Sequence, residues 1–282
     1  MIALKIITSI TSMVLQNCLF NNVCKKDLQT NDHIYRFNMI TYGVCILLLA
    51  FLVLNSGISL YTIGLALVFG VFTALSALYK MLSLSNGPMH ITLLITTSSM
   101  IIPTMSGVFF GEHFSIQKLI AVLVLIFFIY ISLGKTEDTK INKKWVIFCL
   151  LAFIFQGGIG VLQKIHQNSV YKDEANGFLL VAFICSLIYS RIRTKKSFKE
   201  VGFEKKHILL AIVCGVCTYA MNILNLKLSG LLPSQLFFPL VNGSAIVLSS
   251  LFSVLIFKEK ITKKQLIGLI GGILSLIAIC VV

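Results

Sequence analysis

Apolar runs about twenty residues long alternate along the chain with short polar turns, and the longest runs hold no charged side chain: residues 41–79, 91–111 and 119–134. About twenty apolar residues in helical form cross the ~30 Å of a bilayer's hydrocarbon, whereas barrel strands alternate apolar and polar positions. Hydropathy, bounded by charged or turn-forming residues, predicts helical spans at 2–22, 33–54, 58–80, 88–110, 116–134, 145–167, 174–191, 207–228, 233–257 and 263–282. The first span carries Lys5 and an apolar core but no small-residue cleavage pattern follows it, so the reading keeps it in the mature chain.

Residue i matches residue i+147 repeatedly and without gaps. Val14-Leu15-Gln16 returns as Val161-Leu162-Gln163, Lys25 and Asp27 as Lys172 and Glu174, Lys80 as Lys227, and Phe110-Gly111-Glu112 as Phe257-Lys258-Glu259. The chain divides into a five-helix repeat at 1–135, a linker at 136–144 and a second five-helix repeat at 145–282. An odd number of spans per unit inserts the second copy upside down relative to the first. The expected fold class is therefore an all-α integral membrane protein, with ten transmembrane helices as two inverted five-helix repeats, an architecture that gives carriers one conformation open to each side.

Composition agrees: 57% of the 282 residues are apolar and 12% charged, with a mean hydropathy of +0.94, where a soluble domain has about 25% charged residues. Seven of the eight cysteines lie inside apolar stretches and read as small buried hydrophobes; Cys214 and Cys217 have redox spacing but no second Cys or His pair, so no metal is expected. The net charge of +14 does not imply nucleic acid, because the cations sit in turns between spans. Of 24 Lys and Arg, 19 fall on the side of the loops after spans one, three, five, seven and nine. That asymmetry makes those loops cytoplasmic and puts both termini outside.

The segment 77–88, Ala-Leu-Tyr-Lys-Met-Leu-Ser-Leu-Ser-Asn-Gly-Pro, leads into a Thr/Ser-rich span, Pro103, Gly111-Glu112 and Gln117-Lys118-Leu119-Ile120. The second half repeats the pattern at Leu228–Pro233, Phe238–Gly243, Phe257–Glu259 and Gln265–Gly268. This resembles the EamA type of the drug/metabolite transporter superfamily, over nearly the whole chain. The resemblance implies a ten-helix carrier with a central cavity, and both termini in the cytoplasm, opposite to the charge count. Small multidrug relatives place an essential glutamate in the first helix; Ile2 to Phe20 contains no acid, which argues against glutamate-based proton exchange or cation capture. Glu112 and Glu259, in turns at helix ends, are expected to close a helix N-terminus or to pair with a lysine.

Polar side chains within spans face neighbouring helices or a wet cavity. The candidate solute-binding residues are Gln16 and Asn17 on the first span, Phe72 on the third, Thr96 on the fourth, Gln163 and Lys164 on the sixth, Tyr219, Asn222 and Asn225 on the eighth, and Asn242 on the ninth. Tyr219, Asn222 and Asn225 are spaced as a polar stripe, and Gln156 and Gln163 as another, each with the alternative of hydrogen bonding between helices. Lys80 and Lys227 are candidates for gating or for an anionic or zwitterionic solute, with snorkelling to headgroups as the alternative. Phe72 aligns with Tyr219 across the repeat, and packing is the simpler role for both. Pro88 and Pro233 suit helix starts, while Pro103 and Pro239 interrupt helices and free carbonyls or create hinges.

No HExxH, intramembrane Asp pair, Ser-His arrangement or phosphate-binding loop is present, so neither an enzyme nor an ATPase is expected, and no cofactor. The expected function is secondary active transport of a small polar metabolite, an export carrier by resemblance, across a bacterial plasma membrane. A flippase for a lipid-linked headgroup and a non-transporting scaffold or sensor are the alternatives. The expected partners are a small solute and membrane lipids; a monomer suffices because one chain holds both halves, and a homodimer stays open.

Overall fold

The computed structural model describes residues 2–26, 30–53, 57–86, 92, 95–96, 98–113, 115–132, 143–197, 200, 204–249 and 262–281, without the side chains of 20–26, 132 and 265. The described residues are almost entirely helical, as apolar runs in lipid must be, since only a helix satisfies each backbone N–H and C=O within its own segment. The helices are α1 (Ile2–Lys26), α2 (Asn31–Val53), α3 (Leu60–Asn86), α4 (Ile101–Phe110, its last turn 3₁₀), α5 (Ile116–Ser132), α6 (Lys143–Gln167), α7 (Ala175–Arg193), α8 (Lys205–Leu231), α9 (Ser234–Ser249) and α10 (Lys263–Val281). Six of them, α1, α2, α3, α6, α8 and α7 with the turn before it, are long and apolar enough to cross a membrane; α4, α5, α9 and α10 contribute apolar stretches of 10–17 residues. The chain is an integral membrane protein. Large apolar side chains such as Phe51, Leu60, Phe109 and Val281 point outward, 79–89% exposed, where lipid rather than water is the matching solvent.

Two helices run further than hydropathy alone indicates. Past Lys80, α3 continues to Asn86 because Met81, Leu82 and Leu84 are buried against α2 and α8, a gain that carries the helix through the lysine. Likewise α8 reaches Leu231, and Leu232 and Pro233 end it before α9 starts at Ser234. Pro103 lies in the first turn of α4, after a turn at 99–100, and the N–H of Ile102 bonds the carbonyl of Ser99, which a proline four residues on leaves without its helical donor. Pro239 opens a π turn, Pro239–Gly243, inside α9. Pro88, Thr97, Asp27, Glu259 and residues 136–142 of the expected linker lie outside the described residues.

The principal contacts join helices of the first half to helices of the second. α1 packs on α8 and α3 on α6; α3 packs on α7 and α2 on α8; α2, α4 and α5 each meet their own counterpart, α7, α9 and α10. Exchanging the halves maps this contact set onto itself. The directions are readable from named contacts. At the start of α2, Asp32 accepts the N–H of Lys195 (2.8 Å) just past the end of α7, while Tyr42 farther along stacks on Phe183 nearer the start of α7, so the two run antiparallel. Phe72 against Phe155 and Tyr79 against Phe148 show the same for α3 and α6.

Small residues set the closest approaches. A Cβ on Gly70 of α3 would overlap the carbonyl oxygen of Ala182 and lie 2.8 Å from the Cβ of Cys185 on α7, and the hydroxyl of Ser186 donates to the Gly70 carbonyl at 2.8 Å. On α6, Gly160 lets Pro103 of α4 and Phe238 of α9 come equally near. Without a hydrophobic difference between helix and lipid, such van der Waals fits and interhelical hydrogen bonds hold the bundle together.

Candidate functional site

A chamber of about 50 Å³ lies between the halves, lined from the first half by Met13 and Asn17 of α1, Ser76 and Lys80 of α3, Thr96 and Ser99, and from the second by Ala152 and Gln156 of α6 and by Asn242, Ala245 and Ile246 of α9. Four of the sequence candidates, Asn17, Lys80, Thr96 and Asn242, meet there. Ser76 and Lys80 are one helical turn apart and so share a face of α3, which aims both inward. Lys80 Nζ donates to Asn17 Oδ1 at 3.1 Å, and Ser76 Oγ donates to Gln156 Oε1 at 2.7 Å across the boundary between halves. The amide nitrogens of Asn17 and Gln156 make no hydrogen bond among the described residues and are presented to the chamber as donors. Asn242 gives its own amide hydrogen to the Phe238 carbonyl (2.9 Å), leaving its oxygen as an acceptor, and Thr96 bonds the carbonyl of Thr92 (2.9 Å). The chamber thus offers both donors and acceptors, as a small polar solute requires. At about 50 Å³ the chamber has room for a few waters.

The other candidates are placed elsewhere. Gln16 is buried and donates to Thr218 Oγ1 at 2.6 Å, tying α1 to α8. Asn225 accepts the hydroxyl of Ser9 on α1 and touches Met13 Sδ at 4.0 Å. Asn222, also buried, donates to the Thr218 carbonyl of its own helix (2.9 Å), and half-buried Tyr219 packs against the apolar cluster of α2 and α7. The stripe of Tyr219, Asn222 and Asn225 is thereby divided among three surroundings. At 100° per residue, positions six apart point about 120° away from each other, so three residues at that spacing cannot all face one cavity. Phe72 packs edge-on against Phe155 and over Gly158, and Gln163 is buried within the bundle. Pro103 and Pro239 are both buried.

Lys164 is buried on α6, eight residues beyond Gln156 and toward the end of that helix. It forms an ion pair with Glu112, and its ammonium also donates to the carbonyls of Ser229 (2.7 Å) and Leu232 (3.2 Å) at the end of α8. Glu112 in turn accepts the N–H of Ser234, the first residue of α9, at 2.7 Å. The turn after α4 belongs to the first half, whereas α6, α8 and α9 belong to the second, so four segments from both halves converge on one pair of charges. Glu112 fills both roles expected of it, closing a helix N-terminus and pairing a lysine. Along α6, Gln156 and Lys164 are separated by eight residues, about 12 Å at 1.5 Å per residue. Beyond the pair an open vestibule of about 680 Å³ includes Lys5, Gln167 and Lys227. Repeat-equivalent Lys80 and Lys227 accordingly occupy different places, one in the chamber and one in the vestibule.

Sequence reasoning omitted Ser76 and Ser99 from the site. The signal for Ser76 was its spacing from Lys80; Ser99 carried none, since a lone serine in a Thr/Ser-rich span has many neighbours of the same type.

The EamA-like transporter family model matches residues 143–281. Among curated proteins, none matches the chain. A crystal structure of another protein superposes with a TM-score of 0.73 over 98% of each chain at 14% sequence identity, a likeness of fold.

Proposed function

With residues 143–281 belonging to the EamA-like transporter family, we propose that the chain is a secondary carrier that moves a small polar metabolite across a bacterial plasma membrane by alternating access. In this reading 1–135 and 145–282 are inverted repeats that rock about the chamber, and the direction of flux is export. What supports the inverted relation is the antiparallel pairing of α2 with its counterpart α7, together with a contact set unchanged by exchanging halves. Copies related by an axis along the membrane normal would run parallel there.

The observation that carries the reading is the chamber itself. Polar groups from both halves, Asn17, Lys80 and Thr96 on one side and Gln156 and Asn242 on the other, converge on one space. Unpaired donors in a bundle interior are costly unless something binds them. In this reading solute enters when the halves part and is released when they part on the other face.

The test is an uptake screen in proteoliposomes over amino acids, sugars, nucleobases and quaternary amines, with and without a proton gradient. A solute that accumulates, and whose flux falls at least tenfold in the variant Asn17→Leu/Gln156→Leu, is the expected result. Flux of that solute unchanged in the double variant would refute the assignment of the chamber.

A further inference from the structure

The vestibule on the α1-start face has an unusual charge balance. Five of the 24 Lys and Arg in the sequence belong to this face, namely Lys5, Lys118, Lys164, Lys172 and Lys227, and three of them, Lys5, Lys172 and Lys227, line the one opening of about 680 Å³. None of the three has a carboxylate within ion-pair distance or a side-chain hydrogen bond among the described residues. Asp173 also lines the opening, which leaves a formal charge of +2.

The remaining acids nearby are engaged elsewhere. Glu174, next to Asp173, turns away to accept the N–H (3.0 Å) and hydroxyl (2.8 Å) of Ser59 at the start of α3. Glu112 is bound to Lys164 and Ser234. Glu174 and Glu112 are thereby fixed in structural roles and Asp173 alone offsets the opening's charge, while the lysines, from the start of α1, the turn after α6 and the end of α8, line the same space. Snorkelling to headgroups accounts for single lysines at helix ends, but not for three from separate elements meeting in a cleft. Low-dielectric walls around a cleft of one sign focus its field and raise the local concentration of the opposite ion.

We infer that this vestibule is a binding site for a small solute bearing a carboxylate or phosphate, held by Lys5, Lys172 and Lys227 on the α1-start side of the Lys164–Glu112 pair. The inference rests on the carrier reading for the solute's onward path, whereas the site itself does not depend on transport.

The experiment uses the full-length protein in phosphatidylcholine liposomes with Asn168→Cys, an exposed position on the vestibule wall. Its labelling by a sulfonate-bearing and by a trimethylammonium-bearing methanethiosulfonate is compared, with the parent's own cysteines as background. Replacing all three lysines by Gln should lower the anionic-to-cationic rate ratio by about tenfold at low salt, because each charge acts oppositely on the two reagents. Citrate and inorganic phosphate should protect Asn168→Cys in the parent, and glycerol and choline should not. A ratio unmoved by Lys227→Gln, Lys172→Gln and the triple variant alike, or equal protection by choline, would overturn the inference. If phosphatidylglycerol in the bilayer abolishes protection by the soluble anions, the occupant is a lipid headgroup and the solute assignment falls. Protection by anions without flux of any solute keeps the site and removes the carrier reading.

Discussion

Removing one member of the Lys164–Glu112 pair should destabilise the protein far more than removing both in proportion. The side chains are 5% and 17% exposed, so neither charge recovers full hydration when its partner is lost. Truncating one partner of a buried pair costs about 3–5 kcal/mol, mostly from the stranded charge. Glu112→Gln falls near the lower end, at about 3 kcal/mol, because Gln keeps an oxygen for the Ser234 N–H and Lys164 keeps the Ser229 and Leu232 carbonyls. Lys164→Met should cost about 4–5 kcal/mol, since it strands Glu112 and orphans two carbonyls as well. The double variant should recover at least about 1.5 kcal/mol relative to the sum of the two. Reversible unfolding in mixed micelles with increasing sodium dodecyl sulfate measures all three. If the pair forms only when the α1-start face is closed, Glu112→Gln should also raise the reactivity of Asn17→Cys toward a water-soluble thiol reagent from that face, by up to about a hundredfold for 3 kcal/mol. Single variants within about 0.5 kcal/mol of the parent, or strict additivity, would refute the assignment of the pair as a buried tie between halves.

Three further outcomes are expected. Gly70→Val should cost about 1–3 kcal/mol of stability through overpacking and so lower the thermal midpoint, because its side chain meets the Ala182 carbonyl and Cys185 of α7; Gly64→Val, with open space around its Cβ, is the control. Gln16→Leu should cost about 0.6–2 kcal/mol for one interhelical hydrogen bond to Thr218, and Gln16→Leu/Thr218→Val should show coupling in the same unfolding assay. A cytoplasm-dependent reporter fused after Val282 should stay silent if the 19 cations on the opposite loops face the cytoplasm, and strong activity there would reverse the orientation.

Much of the fold was legible before any coordinates, for identifiable reasons. Uncharged runs such as 41–79 leave helices in lipid as the sole economical solution. Pro233 marked the start of α9, and Glu112 beside a glycine turn marked its capping and pairing roles. Helix ends were less legible where apolar residues follow a lysine: burial of Met81, Leu82 and Leu84 carries α3 past Lys80, and that burial is supplied by other helices.

That the chain is helical and membrane-embedded follows from hydropathy along one dimension. Which polar groups meet depends on how the helices pack in three dimensions. Gln16 and Asn17 are adjacent, yet a 100° turn sends one to Thr218 on α8 and the other to Lys80 in the chamber. Lys80 and Lys227 hold equivalent places in the repeat, yet one faces the chamber and the other the vestibule. The period of a helix shows which residues share a face; what that face touches depends on partners more than a hundred residues away.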